Sequence, residues 1–231
     1  MGQATGAGGG TRDAAPPDMR PILVVYATRN GHTRHIAERI ADRIRTLCRE
    51  AQIQDARTEA LPALERYSAV ILAASVHLGH HEREMVKFVR ARRSELGRVP
   101  TLLLSVSLTE AAAADVHRPD GERLDARRAT RKALEDFVLE TGWRADRAVS
   151  VAGALTDTAY GPLTRVLMQK IIHRDVPDQP ARRVVFTDWA ALNSEVDALV
   201  RGAAEHGATL PAAPPEPPGF STAVVGAIPA P

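Results

Sequence analysis

The turn that follows the first apolar run carries hydroxyl side chains on both sides of a glycine. It reads Ala27-Thr28-Arg29-Asn30-Gly31-His32-Thr33, and a helical period begins directly after it. Backbone N–H groups at a helix N-terminus bind phosphate, and nearby hydroxyl groups can donate to the remaining oxygens. The turn has neither the G-x-G-x-x-G of dinucleotide-binding proteins nor the G-K-[ST] of P-loop enzymes. Two interpretations stay open on these residues alone: a phosphate site, or an ordinary turn with Thr33 near the N-cap.

Three histidines follow the second long apolar run, in the sequence His77-Leu78-Gly79-His80-His81. A zinc site needs three or four ligands in a fixed geometry, and no cysteine or second histidine pair stands nearby in the sequence. We therefore predict no metal site here. The alternative is that these are solvated loop histidines, and we favour that interpretation for His81.

Other side chains with reactive groups are better interpreted as structural residues than as catalytic ones. Cys48 continues the apolar stripe of the first predicted helix, which favours a core residue over a nucleophile. Ser105 and Ser107 lack the G-x-S-x-G turn of serine hydrolases. The large aromatic residues that we expect to be structural are Tyr67, Trp143 and Trp189.

Short apolar runs alternate with helical periods between residues 20 and 207. Buried strands are predicted at 21–26, 68–75, 100–107 and 147–155, with a more polar edge strand at 52–56. Helices are predicted over 36–48, 82–96 and 125–140, and from Asp188 onward, with an Ala-rich loop after Ser107. Such alternation predicts a parallel sheet covered by helices on both faces. Ligands of these folds bind at the carboxyl ends of the strands, where the loops after Ala27, Ser75 and Ser107 lie.

The composition narrows the class of protein. The chain has 231 residues, with 30 Lys and Arg against 28 Asp and Glu, a balance that disfavours a dedicated nucleic-acid binder. One cysteine and no apolar run of about 20 residues predict a cytoplasmic protein without an internal disulfide or a membrane span. Residues 1–19 are Gly-rich and 208–231 are rich in Ala and Pro, so both are predicted to be disordered tails. Residues 20–207 are predicted to form one domain.

The three predicted loops at one sheet edge resemble the ligand site of the flavodoxin fold. Five sequence blocks resemble one branch of that family, the flavodoxin-type, quinone-dependent protoporphyrinogen dehydrogenases. The blocks are TRNGHTRHIAERIA, ILAASVHLGHH, SVSL, GWRADRAVSVAGAL and VVFTDW, and they run in order within 21–192. Five blocks at matching spacing are much more specific than the phosphate loop alone.

The resemblance implies a fold, a cofactor and a reaction. The fold is a doubly wound α/β sheet of five parallel strands in the order 2-1-3-4-5. The cofactor is FMN, and the reaction is oxidation of protoporphyrinogen IX to protoporphyrin IX with a membrane quinone as acceptor. No catalytic side chain is assigned. The residues that would bind FMN are Thr28, Arg29, Asn30, Gly31, His32 and Thr33 at the phosphate, and Ser75, Val76, His77, Leu78, Gly79, His80, Ser107 and Leu108 around the ring.

On the same resemblance, His77 and His80 line the flavin ring. Cationic or donor groups there favour the reduced, anionic flavin, because they stabilise the charge that develops on reduction. We therefore predict a higher reduction potential than an acidic surround would give.

Residues 156–183 are an insertion that a minimal flavodoxin fold does not need, and they interrupt the predicted last strand between Leu155 and Val184, as in long-chain flavodoxins. The stretch 162–174 has apolar residues at helical spacing, and 160–183 holds five Lys and Arg against two Asp. A basic amphipathic helix could lie on an anionic membrane surface or bind a propionate-bearing porphyrinogen. A helix packed on the domain's own surface is the alternative.

Two departures from the enzyme branch bear on the substrate. Residues 156–162 hold one aromatic side chain and an acid where the branch has an aromatic, strongly basic segment, and 111–114 are alanines rather than basic residues. The competing functions are a generic flavodoxin-like electron carrier or quinone reductase and, from another class, a flavin-free binding module.

Overall fold

The computed structural model describes residues 17–58, 62–155 and 184–206 of the chain. The predicted insertion at 156–183, with its stretch 162–174, lies outside these residues. So do the C-terminal tail and all but the last three residues of the N-terminal one.

Strands and helices alternate along the chain as predicted. The strands are β1 (Ile22–Ala27), β2 (Ala51–Asp55), β3 (Ala69–His77), β4 (His80–His81), β5 (Thr101–Ser107), β6 (Arg147–Ala152), β7 (Ala154–Leu155) and β8 (Val184–Val185). The helices are α1 (His32–Thr46), α2 (Arg83–Leu96), α3 (Leu108–Ala114), α4 (Asp120–Thr141) and α5 (Trp189–His206), with a short 3-10 turn at Leu64–Arg66.

The main sheet runs in the order β2-β1-β3-β5-β6, with every neighbouring pair parallel. Counted over these five strands the order is 2-1-3-4-5, so the predicted fold class is confirmed. The two-residue strand β4 adds an antiparallel partner to the end of β3. The polar strand β2 lies at the edge, where one side of its backbone has no partner strand in the described residues.

Alternate side chains of the sheet pack against different helices. On β1, Ile22 and Val24 face a buried cluster that includes residues of α1 and α5. Leu23 and Val25 face a second cluster, to which α2 and α4 contribute. Helices on both faces explain why the central strands are apolar throughout rather than alternating.

The segment after Ser107 differs from the prediction of an Ala-rich loop, because it folds as α3. Alanine has the highest helix propensity, and Ser107 caps the helix by accepting a hydrogen bond from the N–H of Glu110 at 3.0 Å. A loop of five residues then leads into α4, which begins at Asp120.

The prediction that Cys48 is a core residue is wrong. Helix α1 ends at Thr46, so its 3.6-residue stripe stops before Cys48, which adopts a left-handed backbone with φ 57° and is exposed. The backbone turns sharply here to enter β2 at Ala51. Tyr67 and Trp143 are buried as expected, with 2% and 6% of their surface exposed.

The post-insertion residues Val184 and Val185 pair antiparallel with Leu155 and Ala154 in a separate two-stranded ribbon. They do not continue β6, although the sequence predicted that the last strand of the sheet resumes at these residues. The ribbon returns the chain to the carboxyl end of the main sheet, immediately before α5.

Candidate functional site

Three strand ends meet at one edge of the sheet. Strand β3 lies between β1 and β5 and is parallel to both. The loops that leave these strands at Ala27, His77 and Ser107 are therefore neighbours in space. The sheet order thus brings together the three segments on which the predicted site depends.

The N-terminus of α1 has unusual electrostatics. Its N-cap is Gly31, with φ 78°, and the helix has no capping side chain and no acidic residue in its first turn. Among the described helices, α2 and α4 each have an acid in the first turn, Ser107 caps α3, and Asp188 accepts two N–H groups of α5. The first N–H groups of α1 are thus left without an anionic or capping side chain, and an anion would satisfy them.

The loop before α1 is shaped by Thr28. Its Oγ1 accepts a hydrogen bond from the N–H of Gly31 at 3.0 Å, so the hydroxyl proton is still available to donate. Arg29 and Asn30 are exposed, whereas Thr33 is only 1% exposed. Thr28 therefore organises the turn, and its proton can serve an anion bound there.

His32 turns inward instead of facing the turn. Its Nε2 lies 3.3 Å from Oγ1 of Thr187, in the segment that returns from the insertion, and the Thr187 hydroxyl donates to the Ala152 carbonyl at 2.7 Å. Because that hydroxyl proton is used, the Thr187 oxygen serves as the acceptor for His32. The pair ties the turn at 28–33 to the chain immediately before α5.

The second loop is a tight hairpin at the end of β3. His77 pairs with His80, and the two central residues, Leu78 and Gly79, have φ values of 50° and 83°. Positive φ at both central positions is the signature of a type I′ turn, which matches the strand twist. The Leu78 side chain is 93% exposed, His80 is exposed and His77 half-buried. The hairpin therefore presents an apolar tip flanked by two histidines.

The interpretation of His81 as a solvated loop histidine is wrong. The hairpin turns the chain back so that His81 packs on Phe137, with ring centroids 4.6 Å apart, and its Nε2 lies 3.0 Å from Oγ of Ser105. Burial, reinforced by the charge of His80, lowers the pKa of His81 to about 4. The imidazole is therefore neutral at pH 7 and anchors the base of the hairpin to β5.

A buried carboxylate links the first two loops. Glu82 lies 3.3 Å (Oε1) from Nε of Arg29, and its Oε2 lies 3.5 Å from Nη2 of the same guanidinium. Its Oε1 also lies 3.5 Å from the Ser75 hydroxyl, and its N–H donates to the Ser75 carbonyl at 3.1 Å. Arg29 in the turn at 28–33 is thus connected through Glu82 to the end of β3.

The third loop is the shortest of the three. Leu108 directly follows Ser107 and already belongs to α3. The Ser107 carbonyl accepts from Gly153 N–H at 2.9 Å, and a Cβ at Gly153 would lie 3.4 Å from that carbonyl group. The carbonyl of Gly153 in turn accepts a hydrogen bond from the N–H of Phe186 at 3.1 Å. The third loop is therefore packed against the strand that precedes the insertion and the segment that returns from it.

Glu110, in the first turn of α3, is the titratable group beside this loop whose pKa is perturbed. Burial raises the pKa of its carboxyl, while a hydrogen bond from Thr130 and the charge of Arg127 oppose the shift. Its N–H is the group that Ser107 caps.

All fourteen predicted FMN-binding residues lie at this edge, but the structure gives them different surroundings. Arg29, Asn30 and Gly31 form an exposed turn that starts at the half-buried Thr28, whereas His32 and Thr33 are buried beneath it. Sequence reasoning missed Glu82 and Thr187. Their signals in the sequence were weak: Glu82 is a polar residue at a helix start, and Thr187 belongs to the VVFTDW block that carried the resemblance.

The described residues bring no three His, Cys, Asp or Glu side chains together in a way that could hold a metal ion. No helix within 17–58, 62–155 or 184–206 is long and apolar enough to cross a membrane.

Comparisons with known proteins identify a family and two named relatives. The family model described as "Flavodoxin domain" matches residues 23–179. The protein named protoporphyrinogen IX dehydrogenase [quinone] of Escherichia coli strain K12 is 28% identical over 168 residues, covering 72% of this chain and 87% of that one. A protein of the same name from Leishmania major is 31% identical over 202 residues, covering 84% of this chain and 78% of that one.

Two solved structures illustrate the structural neighbours. Oxidised flavodoxin 1 from Bacillus cereus is 17% identical with a TM-score of 0.38, covering 80% of this chain and 95% of that one. A short-chain flavodoxin associated with a bacterial microcompartment is 15% identical with a TM-score of 0.46, covering 80% of this chain and 99% of that one.

Proposed function

The chain belongs to the flavodoxin family, and from this premise we propose that it is an FMN-dependent oxidoreductase that oxidises protoporphyrinogen IX to protoporphyrin IX with a quinone as electron acceptor. The substrate and acceptor come from the names of the two relatives, which the chain matches over 87% and 78% of their lengths. The cofactor comes from the family together with the site.

The observation that carries the cofactor assignment is the uncapped N-terminus of α1. A helix N-terminus with no capping side chain and no first-turn acid has a positive dipole end at which an anion is stabilised. The phosphate of FMN supplies the matching oxygens and negative charge. The residues of the chain therefore fit this cofactor at the position where the family would place its phosphate.

We assign the phosphate site to the turn made by Thr28, Arg29, Asn30, Gly31, His32 and Thr33. The flavin ring would lie against Ser75, Val76, His77, Leu78, Gly79, His80, Ser107 and Leu108. In this arrangement the buried His32 and Thr33 support the turn, and the exposed tip at Leu78 borders the ring.

The chemistry requires two-electron transfer, which FMN supplies when bound. Conversion of protoporphyrinogen to protoporphyrin removes six electrons and six protons. It therefore needs three rounds, each delivering two electrons and two protons to one quinone, which becomes a quinol. The protein's own part is to hold and orient the flavin and to leave its ring edge open to substrate and acceptor.

A membrane quinone would bring the protein to the inner face of the cell membrane. We propose peripheral binding there through the basic stretch 162–174. Cell fractionation should then recover part of the protein with the membrane, and high salt should release it, because charge-based binding is screened.

The test of the function is an anaerobic assay of the purified protein. We expect a yellow protein that turns protoporphyrinogen into fluorescent protoporphyrin only when a quinone is added. The variant Thr28→Ala/Thr33→Ala should bind less flavin and turn over less substrate in proportion. The matched control is Thr46→Ala, at the other end of α1, which should behave as the parent protein. A yellow protein without this turnover would indicate a generic electron carrier, and a colourless one a flavin-free binding module.

A further inference from the structure

Glu82 is a buried acid in a site that should receive an anion. It is 8% exposed, and it stands where α2 begins, beside the phosphate loop and the end of β3. The phosphate group of FMN carries about two negative charges at pH 7. A second negative charge at the same sheet edge would oppose its binding unless something neutralised it.

Arg29 is the neutralising group. Its guanidinium nitrogens lie 3.3 and 3.5 Å from the two carboxylate oxygens of Glu82, so both oxygens are engaged. Among the described residues, Glu82 has no other ion pair, and Ser75 is its remaining side-chain partner, at 3.5 Å. The Glu82 side chain is 9% exposed and that of Arg29 is 58% exposed. Loss of Arg29 would leave the buried carboxylate without its ion-pair partner, which is unfavourable.

The position of Arg29 suggests that it binds the phosphate directly, but its contacts argue against this role. It lies between Thr28 and Gly31 in the phosphate loop, and an arginine there would ordinarily be assigned to the phosphate itself. The side chain instead reaches across to an acid 53 residues away in the sequence. Its charge is engaged before any phosphate arrives.

We propose, on the basis of the function proposed above, that Arg29 is a positioning residue that serves the FMN phosphate indirectly. It cancels the charge of Glu82 and ties the phosphate loop to the end of β3. Glu82 supplies the other half of the connection, since it also binds Ser75 at the start of the ring loop. The pair sets both the local charge and the spacing of the two loops that meet the cofactor.

This proposal differs from direct phosphate binding in a measurable way. If Arg29 acts through Glu82, its removal is harmful only while Glu82 is negative. If Arg29 contacts the phosphate, its removal is equally harmful whether position 82 carries a charge or not. A double-mutant cycle separates the two cases.

The experiment titrates the flavin-free protein with FMN and with riboflavin, following the quenching of flavin fluorescence. Arg29→Ala should weaken FMN binding about tenfold or more in the wild-type background, and no more than about twofold in the Glu82→Gln background. Riboflavin lacks the phosphate, so Arg29→Ala should change its affinity far less than that of FMN. Circular dichroism and thermal melting of each variant check that the fold is intact, and Arg29→Gln repeats the test with a bulkier neutral side chain.

The matched control is the neighbouring ion pair on α1, in which Nε of Arg34 lies 2.9 Å from Oε1 of Glu38. Arg34→Ala and Arg34→Ala/Glu38→Gln change the net charge by the same amounts, and both should leave FMN affinity within about twofold.

Equal losses from Arg29→Ala in the two backgrounds would overturn the proposal and assign Arg29 to the phosphate. A loss below twofold in the wild-type background, or an equal loss in Arg34→Ala, would also overturn it. Failure of the wild-type protein to bind FMN at all would instead refute the proposed function.

Discussion

The turn at 28–33 and the hairpin tip at 77–80 lie at the same edge of the sheet, yet they are held in opposite ways. Beneath the turn, His32 and Thr33 are 7% and 1% exposed, and the turn is connected to Glu82 and to Thr187. At the hairpin tip, Leu78 is 93% exposed. Among the described residues, the contacts that fix the hairpin lie at its base, where His81 meets Ser105.

The contrast suggests a division of labour within the proposed site. The phosphate of a cofactor is the same in every turnover, so a turn anchored by buried side chains can hold it permanently. A ring that exchanges electrons with two partners needs an open border, and the hairpin tip supplies one. The measurements below test each side of this comparison, beginning with the largest expected effect.

The rigid base of the hairpin should make the protein sensitive to mild acid. The neutral form of His81 is favoured in the folded state, with a pKa of about 4, while the unfolded chain takes up the proton near the ordinary value of 6.5. Stability is therefore complete above about pH 6.5 and falls as the pH drops toward 4, by about 3 kcal/mol in all. Urea unfolding at several pH values should show this loss in the parent and not in His81→Leu.

The control for this experiment is His117→Gln, at an exposed position between α3 and α4. It should keep the parental slope between pH 6.5 and 4. An unchanged slope in His81→Leu would mean that the hairpin base is not built on a neutral histidine.

The rigid half should lose affinity when a single hydroxyl is removed. Thr28→Ala should weaken FMN binding by about 10- to 100-fold, the cost of one hydrogen bond to a charged group of about 1.5–3 kcal/mol. Thr33→Ala should also weaken it, because the buried Thr33 supports the turn. Fluorescence titration of the flavin-free protein measures this directly. Thr46→Ala on the same helix is the control. Affinity within twofold of the parent in the double variant Thr28→Ala/Thr33→Ala would remove the phosphate from this turn.

The open half should tune the flavin more than it holds it. Changing His77 and His80 to Glu places negative charge beside the ring and should lower the two-electron potential. Each loss of about 1.4 kcal/mol in stabilisation of the reduced flavin corresponds to about 30 mV. A potentiometric titration checks this, with His117→Glu as the control. A potential that is unchanged or higher would place these histidines away from the flavin.

The smallest effects on stability should come from substitutions at the two central residues of the hairpin turn. The two substitutions should change stability in opposite directions. Leu78 has φ 50°, a conformation in which Leu is strained and Asn is better tolerated, so Leu78→Asn should raise stability by about 1 kcal/mol. Gly79 has φ 83° with open space around it, so Gly79→Ala should lower stability by about 1 kcal/mol through backbone strain alone. Thermal unfolding measures both. Equal signs for the two variants would argue against a type I′ turn.

The fold could be predicted from the sequence because its signals are local. The apolar strands, the helical periods and the glycine-containing turn gave the alternation, and the alternation with the family resemblance gave the strand order. The convergence of the three loops followed from that order. The start of α3 was missed, although the alanines after Ser107 have a high helix propensity.

The connections within the site could not be predicted in the same way, since they depend on tertiary structure. Arg29 finds Glu82 across 53 positions, and His32 finds Thr187 across 155. The burial of His81 depends on a two-residue turn that reverses the chain. A one-residue change in that turn would direct the histidine to the other face.

The exposed turn at Cys48 gives the protein one defined site for covalent attachment. Cys48 is the single cysteine of the chain, and it follows the C-terminal end of α1, whose N-terminal end carries the turn at 28–33. Fifteen helical residues separate the two ends by about 22 Å. A maleimide or gold surface attached at Cys48 would hold the protein by the edge of the sheet opposite the candidate site. Every molecule in such a layer would have the same orientation, with its candidate site toward the solution. No residue would have to be engineered for this purpose.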